Sequence, residues 1–296
     1  MIYLVTGVNG FIGYDLVKHL AKDQNNFIYA TDRKDGLDFE LPNVKYLHCE
    51  LRNQLQVSQL PKVDCVVHLA AYNGTKFFYT DSYEVIKDNI VGTINLVDRY
   101  RNSRPKFVYA GTPESTTGAT ELGQDLPTTE DSPLVVLDPT NPRWSYAGSK
   151  ALGEQVVINS GLDWTVIRYN NVYGPRQKDH FIPEFVDRAK QGDVSLFGHA
   201  NTRTFLHIDD AVEATKAVLE STQCSKQILN VGGDKETTIK EVAEILLQLM
   251  NIDKPIKLNE APEGSATRRW PSIEKIKQLT GWQPRIELQQ GLKDCI

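Results

Sequence analysis

A short β-branched and apolar run, Ile2–Thr6, leads directly into Gly7-Val8-Asn9-Gly10-Phe11-Ile12-Gly13. That junction narrows the possible folds more than any other feature of the 296-residue chain. Glycines spaced in threes permit a tight turn, a close backbone approach to a pyrophosphate, and close packing of a helix on a strand. Ile12, Leu16 and Leu20 then recur at helical spacing. The turn therefore opens a helix whose N-terminal N–H groups and partial positive charge suit a phosphate. A glycine pattern alone is a weak signal. Here residues 27–31 read as the next strand, and Asp32 closes it about 20 residues after the last glycine, the spacing of a dinucleotide site. Its carboxylate can accept from a ribose diol and would repel a 2′-phosphate, which favours NAD over NADP. The neighbouring Arg33 argues the other way, because an arginine there tolerates the extra phosphate.

Residues 44–49, 63–70, 106–110 and 164–169 are further strand candidates, and 85–100 and a stretch from about Ser145 have helical periodicity. The strand runs are continuously apolar rather than alternating, so both of their faces are buried, as in a parallel sheet covered by helices. The expected fold is α/β: a Rossmann-type doubly wound parallel sheet with a smaller, interleaved C-terminal substrate-binding lobe. Residues 1–168, joined by about 204–232, are assigned to the dinucleotide-binding part. Residues 169–296, with helical stretches at 239–250 and 273–279, are assigned mainly to the lobe. Residues 111–143 are rich in Thr, Pro, Asp and Gly and show little periodicity, so they read as a long functional loop.

With 40% hydrophobic residues the chain can build a core, and its net charge of −5 argues against nucleic acid or an anionic membrane surface as partner. An anionic ligand must then be held by a few placed basic groups and by backbone N–H dipoles. Cys49, Cys65, Cys224 and Cys295 lack CxxC or metal-like spacing, so no metal and no disulfide is expected. There is no signal peptide and no 18-residue apolar run, and the chain reads as cytoplasmic.

Tyr146-Ala147-Gly148-Ser149-Lys150 is the most informative pentapeptide. On a helix, positions i and i+4 share a face, so the Lys150 ammonium and a nicotinamide ring would both favour the Tyr146 phenolate. Tyr146 would then be the base that takes a hydroxyl proton as hydride leaves the carbon. With the glycine turn and Asp32 ahead of it, the chain resembles the extended short-chain dehydrogenase/reductase family. Val66-Val67-His68-Leu69-Ala70-Ala71 and Asn89-x-x-Gly92-Thr93-x-Asn95-Leu96 follow in the family's order. The resemblance implies that Leu69, Ala70 and Ala71 line the nicotinamide-ribose side of the groove, and that Asn89 lies on a helix behind the active site. It implies that Thr112 bonds the reacting oxygen. His68 reads as a packed histidine with no chemistry.

Ala110-Gly111-Thr112-Pro113-Glu114 also resembles the Thr-x-Glu of nucleotide-sugar dehydratases and decarboxylases, where a carboxylate at the position of Glu114 assists proton removal beside the new ketone. The sequence departs from that pattern: Pro113 replaces the usual aspartate, and Ser115-Thr116-Thr117-Gly118 replaces Val-Tyr-Gly. Glu114 thus reads equally as catalytic or as a solvent-facing loop residue. Residues 168–177 resemble the family's entry to the substrate lobe, which aligns Asn171 with the substrate diphosphate. Arg203-Thr204-Phe205-Leu206-His207-Ile208-Asp209-Asp210 and Arg268-Arg269-Trp270-Pro271-Ser272 match further family stretches, and Arg203 and Arg268 are assigned to phosphate. Pro142-Arg143-Trp144-Ser145-Tyr146 and residues 73–79 look like subgroups acting on bacterial surface sugars. The resemblance implies a nucleotide-sugar substrate, a homodimer built on two long helices, and an NAD-dependent epimerase working through a 4-keto sugar. A 4,6-dehydratase or decarboxylase using Glu114 is one rival. A non-catalytic NAD-binding regulator is another, and such proteins commonly lose the tyrosine or lysine retained here.

Overall fold

The computed structural model describes residues 1–261 and 265–296. Strands β1 (Ile2–Thr6), β2 (Phe27–Asp32), β3 (Val44–His48), β4 (Cys65–His68), β5 (Lys106–Gly111) and β6 (Asp163–Tyr169) run parallel. Between them come α1 (Phe11–Leu20), α2 (Gln54–Ser58), α3 (Thr75–Thr80), α4 (Ser82–Tyr100), α5 (Glu114–Glu121) and α6 (Trp144–Ile158). The chain continues through β7 (Val172–Tyr173), α7 (Phe181–Lys190), β8 (Ser195–Phe197), β9 (Thr202–Thr204) and β10 (Leu206–His207). Helix α8 (Ile208–Glu220) carries it back, and β11 (Gln227–Val231) joins the large sheet beside β6. The remainder forms β12 (Glu236–Thr238), α9 (Ile239–Leu249), β13 (Lys257–Asn259), β14 (Arg268–Arg269), α10 (Glu274–Thr280) and α11 (Leu288–Gly291).

The seven-stranded sheet has the order β3-β2-β1-β4-β5-β6-β11. Strand order reverses between β1 and β4, which opens a crevice beyond their carboxyl ends. Two cores flank the sheet, and successive residues of each strand alternate between them. Tyr3, Val5, Cys65, Val67, Val108 and Ile167 face the core that includes Leu16 and Val17 of α1 and Val218 of α8. Leu4, Val66, Phe107, Tyr109 and Val166 face the other, with Leu96 of α4 and Val157 of α6. This two-sided burial is the physical origin of the unbroken apolar runs. Each fully buried Val, Leu or Phe contributes about 1.5–3 kcal/mol against exposure.

A third core, with Phe185, Leu196, Val242 and Leu246, holds the smaller lobe around α7 and α9. A capping box starts α9: Thr238 accepts from the Glu241 N–H at 3.1 Å, and the Glu241 carboxylate accepts from the Thr238 N–H at 2.7 Å. Strand β9 sits between β12 and β14 in a three-stranded sheet that faces the crevice. No helix among the described residues is long and apolar enough to cross a membrane.

The expectation of a structureless loop over 111–143 is corrected in part, because residues 114–121 fold as α5. Its buried face is Ser115, Thr116, Thr117, Gly118 and Ala119 rather than large apolar residues. The hydroxyls of Ser115, Thr116 and Thr117 donate back to the carbonyls of Thr112 and Pro113, which lets a polar segment be buried as a helix.

Candidate active site

The crevice widens into a cleft of about 1170 Å³ lined by the glycine turn, the ends of β4 and β5, the start of α6 and the inner face of the lobe. Of the residues assigned to a cofactor, Gly7, Asn9, Gly10, Phe11, Ile12 and Gly13 line it, as do Asp32, Arg33 and residues 69–71. Gly7 has φ +74°, and a Cβ there would stand 2.7 Å from the Ala70 backbone. A side chain would therefore fill the cradle between β1 and β4. Asp32 accepts from the N–H groups of Asn9 (3.0 Å) and Lys34 (3.1 Å), which aims its carboxylate beside the turn. Arg33 donates to Asp88 at 2.8 Å and lies 5.1 Å from the Tyr72 ring centroid. With its charge engaged there, Arg33 no longer argues for a 2′-phosphate.

Asn89 does not line the cleft. It is buried on α4, where its Oδ1 accepts from the Tyr72 N–H (2.7 Å) and its amide donates to Ser149 Oγ (3.0 Å). Ser149 Oγ in turn donates to the Tyr146 carbonyl at 2.8 Å. Asn89 thus sits behind the cleft and contacts α6 through Ser149.

Tyr146, Lys150, Thr112 and Glu114 all line the cleft. Lys150 is buried, with Nζ 4.1 Å from the Tyr109 ring centroid. Burial pushes its ammonium down to about 7, against the pull of Glu154. The phenol of Tyr146 is held well above its ordinary range, first by burial and then by the Glu114 carboxylate, with the Thr112 hydroxyl opposing. Among the protein's own groups desolvation dominates; the expected lowering of the phenol invokes a bound nicotinamide ring as well. Phe78 of α3 stacks on the Tyr146 ring at 4.9 Å and 12°.

Glu114 lines the cleft, with its side chain only 20% exposed, rather than facing open solvent. Its Oε1 lies 3.4 Å from Arg269 Nη2 and 3.7 Å from Arg143 Nη2. Burial alone would raise its carboxyl, yet Arg269, Arg143, His180 and Arg203 together hold it below the usual range. Arg203 and Asn171 also line the cleft. The Asn171 amide donates to the Thr204 carbonyl at 2.9 Å, and Arg203 donates to Thr202 and Ala266 carbonyls at 2.7 and 2.8 Å. Burial, reinforced by Arg269, pushes the Arg203 guanidinium down to about 9, so it remains charged near neutral pH.

Arg268 is corrected: it is turned away from the cleft and forms two hydrogen bonds with Glu236, at 2.9 and 2.6 Å. Register explains the difference. Arg269 pairs with Arg203 across β14 and β9, and Arg268 pairs with Thr202, so the two neighbouring arginines point to opposite faces. Arg269 takes the cleft position. Arg143 and Phe78 have no role legible in the sequence alone. The Pro-Arg-Trp-Ser-Tyr and Lys-Phe-Phe-Tyr segments were visible signals, but only the fold brings them onto Tyr146.

A model of the NAD dependent epimerase/dehydratase family matches residues 3–232. The UDP-N-acetyl-alpha-D-glucosaminuronate decarboxylase of Bacillus cytotoxicus is 32% identical over 99% of this chain and 96% of its own length. The UDP-glucuronate 4-epimerase of Thermodesulfobacterium geofontis is 28% identical over 99% of this chain and 94% of its own. Among solved structures, the UDP-glucose 4-epimerase of Thermotoga maritima with UDP-glucose aligns with a TM-score of 0.87 at 25% identity. That alignment covers 99% of this chain and 96% of that one.

Proposed function

This chain belongs to the NAD-dependent epimerase/dehydratase family, and on that premise we propose that it is an epimerase acting at C4 of a nucleotide sugar through a transient 4-keto sugar. The convergence of Thr112, Tyr146 and Lys150 at one end of the cleft carries the proposal. Residues 1–168 with about 204–232 hold NAD, consistent with β11 completing the large sheet, and the remainder mainly binds the nucleotide sugar. NAD, when bound at the glycine turn and Asp32, supplies the hydride acceptor and a cationic ring whose charge favours the Tyr146 phenolate. Tyr146 takes the C4 hydroxyl proton, Thr112 holds the same oxygen, and Lys150 supplies positive charge beneath the phenol. Arg203, Arg269 and Asn171 hold the diphosphate, leaving the 4-keto sugar free to turn so that the hydride returns to the opposite face of C4 and Tyr146 returns the proton to the oxygen, with no net redox change.

Lysis, as dehydration or decarboxylation, is the second reading, favoured by one observation: Glu114 is buried beside Tyr146 and held ionised, the state a base requires. Its two arginine partners weigh against it, because they tie up the same oxygen.

The test incubates the purified enzyme with UDP-, GDP-, CDP- and dTDP-sugars in D₂O without added cofactor and weighs the products. An isomer of unchanged mass, with activity reduced about 10²–10⁴-fold by Tyr146→Phe, is the expected result. Loss of water or carbon dioxide transfers the case to Glu114. No change in any sugar would count against the C4 reading and raise that of a non-catalytic NAD-binding regulator.

A further inference from the structure

Three guanidinium groups gather around the Glu114 carboxylate in the cleft, and the Glu121 carboxylate also acts on Arg203. Arg143 and Arg269 approach the same oxygen of Glu114, at 3.7 and 3.4 Å, and Arg203 lies near enough for its charge to act on all three. The cluster is therefore cationic before any substrate arrives. Its cations also separate by position. Arg203 and Arg269 are cross-strand partners on β9 and β14 and belong to the lobe. Arg143 immediately precedes α6, three residues before Tyr146. Its guanidinium lies 5.6 Å from the Phe78 ring centroid, and Phe78 is stacked on Tyr146 at 4.9 Å.

Two cations in the lobe match a diphosphate. Arg143 remains, packed by way of Phe78 against the residue that acts on the sugar. Its side chain is only 15% exposed, its contact with Glu114 is longer than a hydrogen bond, and its Nη1 is buried without a partner. A neutral hexose would leave that guanidinium with Glu114 alone. A carboxylate would complete its fork and relieve the repulsion among the three arginines.

We propose that the sugar is acidic, a nucleotide-linked hexuronate, and that Arg143 reads its C5 carboxylate. The carboxylate lies one ring carbon from C4, so an arginine beside Tyr146 stands at the right end of the sugar. The proposal rests on Tyr146 marking the C4 end, as in the proposed function, but concerns recognition rather than the fate of the sugar.

The experiment measures binding, so that it stands apart from turnover. Tyr146→Phe enzyme carrying NAD is titrated calorimetrically with UDP-glucuronate against UDP-glucose, and with GDP-mannuronate against GDP-mannose. In at least one pair the acidic sugar should bind about tenfold or more tightly, with the ratio falling to within about threefold in an added Arg143→Met and partly retained in Arg143→Lys. NAD content and circular dichroism of each variant establish that the fold is intact. If no acidic sugar binds more tightly than its neutral counterpart, or if the preference survives Arg143→Met, the proposal is overturned. Failure of the wild-type enzyme to change any sugar, with the binding preference intact, would instead overturn the C4 reading and leave this one standing.

Discussion

At position 68 a buried histidine uses both ring nitrogens on hydroxyl groups, and the directions of those bonds identify its tautomer. Thr93 Oγ1 donates to the Asn89 carbonyl at 2.7 Å, so it can only accept from His68 Nε2, 3.1 Å away. In a buried neutral ring Nδ1 is then the acceptor, and Thr6 Oγ1, which also accepts from the Ala70 N–H at 3.1 Å, donates to it at 2.8 Å. The ring carries its proton on Nε2 and links β1, β4 and α4 at the floor of the cleft. Burial, and after it the charge of Lys150, pushes its pKa down from 6.5 to about 3. Between those values the unfolded chain binds a proton that the native protein refuses, so stability falls as pH drops from 6.5 toward 3. Urea titrations between pH 7 and pH 4 should show it. His68→Asn should be less stable at pH 7 yet lose stability less steeply on acidification, by up to about 1.4 kcal/mol per pH unit. Parallel slopes for the two proteins would refute the assignment.

Helix α6 must hold Tyr146 and Lys150 against the sheet, and its anchor is an ion pair in the core. Arg168 of β6 donates to Glu154 of α6 at 2.8 and 3.1 Å, with both side chains almost fully buried, and a third donor reaches the Glu130 carbonyl at 3.2 Å. Removing one partner strands the other charge away from water. Glu154→Ala should lower stability by about 3–5 kcal/mol in denaturant titration, and Arg168→Met with Glu154→Leu should be much less damaging. Equal losses in both would mean that packing, not charge, is what the pair contributes. The same scale shows what the chain makes legible. Strands β1, β4, β5 and β6 are readable because burial on both faces demands apolar runs, and the YxxxK spacing places Tyr146 and Lys150 on one helical face. Helix α5 is hidden because it buries threonines whose hydroxyls bond backward along the helix. The choice between Arg268 and Arg269 depends on the pairing register of β14 with β9, a long-range fact that two adjacent identical letters cannot encode. Likewise the raised phenol of Tyr146 follows first from its burial and then from Glu114, which lies 32 residues away in the chain and meets it only in the fold.

Across the whole molecule, α4 and α6 pack on one another, and each exposes large apolar side chains, with Lys87 lying over Tyr83 on α4. Tyr83, Ile86 and Ile94 on α4 are 70%, 40% and 38% exposed, and Leu152 on α6 is 50% exposed. Positions 83, 86 and 94 recur at helical spacing on one side of α4, while Val85, Asn89 and Leu96 on its other side are buried. A self-complementary pairing about a two-fold axis would bury this face in both copies, two helices from each. The prediction is a homodimer of the 33.3 kDa chain in sedimentation velocity. Ile94→Glu combined with Leu152→Glu should give a monomer, because two charges would then be buried without partners at such an interface. On α6, Leu152 faces outward while Tyr146 and Lys150 are buried toward the cleft. The monomeric variant should therefore keep its NAD, while losing thermal stability in proportion to the apolar area newly exposed to water. A wild-type protein that sediments as a monomer at micromolar concentration would leave this face without a second copy as its cover.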